Sequence, residues 1–235
     1  MKLNTHEWGT GDRVALLVHG IMSDHRTWRR VGPALAERGY RVIAVDQRGH
    51  GLSPRGNGGT PQERYALDAY AEDLVETLPT GAALAVGHSL GGITLLRAVE
   101  RLKPARAVYV DPAWQFAQAE GVDPELFVEF RNAGREQIAA MNPRWEEADI
   151  DVELATLAAW DPDSALAMPG QDAGLPEAPT VPSLVVRADD SFLLGAADTG
   201  LLRERGFEVR TVPGAGHTVH RDDHAGFMAA LEGWV

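Results

Sequence analysis

An α/β fold with a mainly parallel sheet, helices on both faces and one helical insertion is what this 235-residue sequence predicts. Three observations carry that expectation: short, nearly continuous apolar runs, helix-length segments between them, and one long stretch with no strand signal. Continuous apolar runs mark strands buried on both faces. Strands alternating with helices imply parallel pairing through right-handed crossovers.

The first core strand is Arg13 to Val18, running into His19-Gly20, and the second is Arg41 to Val45, ending at Asp46. Ala82 to Val86 runs into Gly87, and Ala105 to Val110 into Asp111. Pro182 to Arg187 and Phe207 to Val212 complete the core set, with Leu3 to Trp8 as a candidate antiparallel edge. Between them, Trp28 to Arg38 reads as a helix closed by Gly39, a natural C′ residue. Ala66 to Leu78 stops before Pro79, Ser89 to Leu102 stops before Pro104, and Asp222 to Trp234 closes the chain.

From Pro112 to about Thr180 no convincing strand appears, and short helical patterns are broken by Pro124, Pro143, Pro162 and Pro169. A loop this long inside a compact domain is improbable, so the segment should carry its own helices. The expected division is therefore a core of residues 1–111 and 181–235, with a helical cap at 112–180. This segment contains Trp114, Trp145, Trp160, Phe116, Phe127, Phe130 and Met141. Each alone fits ordinary core packing; as a group they fit a partly apolar pocket wall.

Composition narrows the function classes. Apolar residues at 44% and charged residues at 24% suit a globular chain with a sizeable core. A net charge of −12 disfavours generic nucleic-acid binding, which needs Lys and Arg to displace counterions. Cysteine is absent, which removes disulfides, thiolate metal sites and cysteine nucleophiles together. The N-terminus lacks the apolar core of a signal peptide, and no run approaches about 20 apolar residues, so no membrane partner and a cytoplasmic location are expected. No His-Glu-x-x-His or comparable cluster suggests a metal, and no cofactor is implied.

The chemistry centres on Gly87-His88-Ser89-Leu90-Gly91. Gly-x-Ser-x-Gly alone is a weak signal, but here it joins an apolar strand to a helix. A sharp strand-to-helix turn needs its glycines to avoid clashes, and it sets the serine Oγ at a helix N-terminus that favours negative charge. Ser89 is thus the candidate nucleophile. The loop His19-Gly20-Ile21-Met22 can aim a backbone N–H at a carbonyl oxygen under attack, Ile21 first and Met22 second, with Leu90 N–H as the other donor. His19 itself is expected to brace that loop.

A serine hydroxyl needs a base. His217, in Pro213-Gly214-Ala215-Gly216-His217, follows the last strand and opens on the same sheet edge as Ser89. His220 and His224 lie nearer the last helix and are expected behind the site or at the surface. The third member is a carboxylate that orients the imidazole. Asp111 follows one strand and Asp189 and Asp190 follow the next, so the residues alone leave the acid open.

Together these stretches resemble the α/β-hydrolase superfamily, specifically its cap-bearing, esterase-like members. The resemblance runs through His19-Gly20, Asp46-Gln47-Arg48-Gly49-His50-Gly51-Leu52-Ser53, Gly87 to Gly92 and Gly214 to His217. It implies an eight-stranded, mainly parallel core, and structural roles for Asp46 and Arg48. Many members carry the acid a few residues past the penultimate strand, where this chain has Ser191. A minority place it after the preceding strand, the position of Asp111, so Asp111 is expected ahead of Asp190 and Asp189. The implied activity is hydrolysis of a small-molecule carboxylic ester or lactone by Ser89, His217 and Asp111. The rival readings are a thioesterase, a carbon–carbon bond hydrolase, a cofactor-free perhydrolase, or a ligand receptor that kept the fold.

Overall fold

The computed structural model describes residues 1–116 and 123–235. In chain order, β1 (Thr5–Trp8) and β2 (Arg13–Val18) lead through a 3-10 turn at His25–Trp28 to α1 (Val31–Ala36) and β3 (Tyr40–Val45). Next come α2 (Pro61–Arg64), α3 (Leu67–Thr77), β4 (Leu84–His88), α4 (Leu90–Leu102) and β5 (Ala107–Val110). Among the described residues, four helices follow: α5 (Pro124–Phe130), α6 (Arg135–Met141), α7 (Glu147–Ala159) and α8 (Asp163–Leu166). The chain closes with β6 (Ser183–Ala188), α9 (Ala196–Glu204), β7 (Glu208–Val212), α10 (Val219–Asp222) and α11 (His224–Ala230).

The sheet has seven strands in the order β1-β3-β2-β4-β5-β6-β7. Only β1 is antiparallel, pairing Thr5 with Val45 and Trp8 with Val42. The expectation of eight strands is corrected to seven among the described residues. The segment ahead of β2 forms one strand, Thr5–Trp8, and Gly9, with φ 71°, turns the chain out of it.

Both faces of the sheet are buried, as the apolar runs require. Along β2, Leu16 and Val18 pack into the layer with α3 and α4, while Ala15 and Leu17 pack into the layer with Trp28, Val31 and Phe227. Two predicted helices are shorter than the patterns suggested. The Trp28–Arg38 pattern splits into the 3-10 turn and α1, and the Asp222–Trp234 pattern divides at Asp223. Asp223 accepts the Gly226 N–H and so caps a new helix rather than continuing the old one.

The strand order places the site. From β2 the chain moves outward to β3, then returns to lay β4 on the other side of β2, with Val18 beside Gly87. The C-terminal ends of β2 and β4 therefore flank a topological switch point, where connecting loops part and leave a crevice.

Candidate active site

Ser89 turns the chain from β4 into α4 with φ 52° and ψ −116°, a conformation that L-residues seldom adopt. The cost, on the order of 1–3 kcal/mol, is sustained by the packing around it. The flanking glycines are obligatory for distance. A methyl group on Gly87 would stand 2.4 Å from the Gly91 carbonyl oxygen, and one on Gly91 would stand 2.3 Å from the Val18 carbonyl oxygen. The bare Gly87 thus lets α4 fold back tightly on β4, and the bare Gly91 lets it approach the end of β2. Ser89 N–H donates to Val110 O at 3.0 Å, tying the turn to β5. Leu90 is the first residue of α4, so its N–H has no intrahelical acceptor.

The loop after β2 is locked by a buried histidine. Gln47 N–H donates to His19 Nε2 at 2.9 Å, so His19 carries its proton on Nδ1, which donates to Gly20 O at 2.6 Å. Burial holds the His19 pKa below its ordinary value, which keeps this tautomer neutral. The Gln47 side chain continues the brace, donating to His19 O at 2.7 Å and accepting from Thr94 of α4 at 2.9 Å. Ile21 and Met22 line a small cavity with Ser89, and Met22 has φ 62°. Asp46 anchors the neighbouring loop by accepting from His25 and Leu52 N–H, while Arg48 pairs with buried Asp73 at 2.7 Å.

His217 Nδ1 lies 2.7 Å from Asp111 Oδ2, although the two residues stand 106 positions apart. Asp111 is fully buried and has φ 37°. Burial pushes its pKa up, but the His217 hydrogen bond and charge, the Ser191 hydroxyl and Ala188 N–H together hold it below the ordinary value. It is thus an anion at neutral pH. Ser191, at the position that the family resemblance reserves for an acid, hydrogen-bonds Asp111 through its hydroxyl. Asp189 does not reach His217. Its Oδ2 accepts Gly214 N–H at 2.7 Å, and its N–H donates to Ala215 O at 2.9 Å, so it braces the histidine's loop. Asp190 is exposed.

Sequence reasoning missed several supports. His88 Nε2 lies 3.0 Å from His217 O, and burial together with the nearby His217 charge pushes the His88 pKa down to about 3. A neutral His88 therefore donates to the main chain of His217. His220, expected behind the site or at the surface, is buried, stacking on Trp28 with ring centroids 4.3 Å apart. Trp145 Nε1 donates to Thr218 at 3.1 Å and to Asp222 at 2.9 Å. Arg221, against the Trp145 ring, donates to Glu153 at 2.6 Å. The signal available beforehand was only that His88 sits inside the serine motif.

Two cavities open here. The smaller, about 90 Å3, is lined by Ile21, Ser89, Phe116, Phe192 and His217. The larger, about 540 Å3, has walls from Phe127, Phe130, Met141, Trp145 and His217. They share Met22, Phe127, Glu153, His217 and Thr218. Trp114 and Trp160 are instead fully buried in packing. Trp114 meets Tyr109 and Phe207, and Trp160 donates to Ser164 at 2.6 Å. Among the described residues one trio, Asp24, His25 and Asp46, brings potential metal-ligand atoms within 4.8 Å of one another. Asp24 already pairs with Arg26 and Asp46 with His25, and none of the trio lines either cavity.

Comparison with known proteins gives concordant results. The profile of the Alpha/beta hydrolase family matches residues 15–231. The 2-(acetamidomethylene)succinate hydrolase of Mesorhizobium japonicum is 32% identical, covering 93% of this chain and 86% of its own. A non-heme chloroperoxidase of Burkholderia pyrrocinia is 29% identical over 92% of this chain and 90% of its own. Among solved structures, an E-2-(acetamidomethylene)succinate hydrolase superposes with a TM-score of 0.76 at 25% identity, covering 98% of this chain and 94% of its own. The N-formylmaleamic acid deformylase of Pseudomonas putida S16 reaches 0.78 at 24% identity, covering 99% and 98%.

Proposed function

Because this chain belongs to the α/β-hydrolase family, we propose that it is a serine hydrolase cleaving a carboxylic ester or lactone through an acyl-enzyme on Ser89. The observation that carries the reading is the 2.7 Å bond between His217 Nδ1 and Asp111, on a histidine that shares a cavity with Ser89. With Nδ1 donating to an anion, His217 keeps Nε2 free to accept a proton. Ser89 Oγ attacks the carbonyl carbon as His217 takes its proton, and Asp111 stabilises the imidazolium that forms. Ile21 and Leu90 N–H groups hold the developing oxyanion, and the start of α4 adds its dipole. The tetrahedral intermediate expels the alcohol, which leaves with the proton from His217. Water then repeats the sequence on the acyl-enzyme and returns Ser89 to its hydroxyl form.

Residues 1–111 and 181–235 are taken as the catalytic core, with 112–180 as a cap whose aromatic side chains favour an apolar substrate. The relative at 32% identity favours a second reading, hydrolysis of an acylated nitrogen, since its name describes an acetamido compound. The test is a panel of chromogenic esters of increasing acyl length together with N-acyl analogues, assayed on wild type and Ser89→Ala. Loss of turnover in the variant is expected, and turnover that persists unchanged overturns the proposal.

A further inference from the structure

We propose that Arg144 recognises a carboxylate carried by the substrate, at the mouth of the 540 Å3 cavity. The inference rests on the hydrolase reading above and gives that reading a substrate class.

Arg144 follows Pro143 in the link between α6 and α7 and lines the cavity beside Gly214 and His217. Its guanidinium lies against the backbone of the histidine's loop. A methyl group on Gly214 would stand 2.6 Å from Nη2 and 3.2 Å from both Cζ and Nη1. Gly214 has φ 71°, so the bare backbone that accepts the guanidinium is also one that demands glycine. The cation is therefore seated on the loop.

It is seated without a counterion. Among the described residues no carboxylate lies within ion-pair distance of Arg144, whereas Arg135, Arg205 and Arg210 each meet a Glu or Asp. Arg13, Arg38, Arg106, Arg187 and Arg203 also lack a carboxylate, but each donates to a main-chain carbonyl. Arg131 has neither kind of partner among the described residues and lines neither cavity, whereas Arg144, equally without one, lines the larger. The other charged groups lining the cavity are already engaged. Glu153 is paired with Arg221 at 2.6 Å, and Asp222 accepts the Trp145 N–H at 2.9 Å. Asp222 is moreover held toward its neutral form by burial. Among the described residues Arg144 is thus the one uncompensated cation lining this cavity.

A guanidinium offers a planar fork of N–H donors that matches a carboxylate and seldom gives up its proton. Leu126, Phe127, Phe130 and Met141 line the same cavity as Arg144 and suit an aliphatic stem. Shared lining residues join this cavity to the one holding Ser89. The fitting substrate is an ester with an apolar arm that ends in a carboxylate several bonds from the reacting carbonyl.

The experiment compares 4-nitrophenyl and alkyl esters carrying a terminal carboxylate, on the acyl arm or on the alcohol arm, with neutral esters of equal length. Arg144→Gln should lower kcat/KM for carboxylated esters on at least one arm by about tenfold, the scale of one partly exposed charge-assisted contact. Neutral esters should change less than about twofold, and Arg144→Lys should recover part of the loss. Independently of turnover, wild type should bind hexanoate more tightly than the neutral hexanamide by calorimetry, and Arg144→Gln should erase the difference. Equal losses for charged and neutral esters, or hexanoate and hexanamide bound alike by wild type, would overturn the proposal. If no ester is turned over, the hydrolase reading fails, while the comparison of hexanoate with hexanamide still decides the role of Arg144.

Discussion

Replacing Asp111 with Asn removes one acceptor oxygen from a site that has donors on both sides. Oδ2 faces His217 Nδ1 at 2.7 Å, and Oδ1 accepts Ala188 N–H at 3.2 Å. An asparagine has one oxygen and one NH2 for these partners. If the oxygen serves Ala188, the NH2 faces His217 and forces its proton onto Nε2, where it cannot act as a base. If the oxygen serves His217, a donor faces Ala188 N–H inside a buried site, which costs about 1–3 kcal/mol. That preference leaves roughly 1–20% of the enzyme in the productive tautomer. The imidazolium also loses an anion, worth about 4 kcal/mol at a charge separation near 4 Å and an effective dielectric constant of 20. Together these give a loss in kcat of about 10^4-fold. Steady-state kinetics on the best ester in the panel, with Asp190→Asn and Asp189→Asn alongside, measures it. A loss below tenfold for Asp111→Asn, or an equal loss for Asp190→Asn, would refute the assignment.

The other predictions concern strain, packing and protonation. Ser89→Gly should be inactive yet more stable by about 1 kcal/mol in urea unfolding, since glycine accepts φ 52° without strain. Gly91→Ala should lower stability by about 2 kcal/mol or more and impair catalysis, because its methyl would stand 2.3 Å from the Val18 backbone oxygen, which cannot turn aside. His88 and His50 are both pushed down to about 3 by burial, so each stays neutral in the fold while the unfolded chain takes up a proton below the ordinary value of 6.5. Stability should therefore fall as pH drops from 6.5 toward 3, by up to about 1.4 kcal/mol per pH unit for each such histidine. Urea titrations across that range should show a shallower acid limb in His88→Gln. Asp111 acts further down: its depressed pKa contributes stability that is present above 3.8 and lost as pH falls through its lower folded value.

Most of the sheet was legible because buried parallel strands leave continuous apolar runs. Arg13–Val18 carries such a run, and the observed strand has those same bounds. The placement of Ser89 and His217 against one cavity was legible because each follows a strand, and parallel strands bring their C-terminal ends to one edge. The choice between Asp111 and Asp190 was harder, since both follow strands that end at that edge. What separates them is a side-chain direction, set in part by the left-handed backbone of Asp111, which no periodicity encodes. The aromatic segment was legible only as a group. Trp145 reaches the histidine's loop, whereas Trp114 and Trp160 vanish into packing, because all three lie in links outside the helices, whose course depends on what packs against them. The contacts of Trp145 and Arg221 join positions 68 to 77 residues apart, so local patterns carry no trace of them. The split of the last helix could have been read from Asp223, a residue type that caps helices more readily than it continues them.

The central claim is that Ser89 Oγ is the nucleophile activated by His217. Its most direct test treats the protein with a fluorophosphonate ester, which phosphonylates activated serines, and maps the product by peptide mass spectrometry. The account predicts a single adduct on the peptide containing Ser89, formed far more slowly in His217→Ala. An adduct elsewhere, or none on a folded protein that still hydrolyses esters, would contradict it.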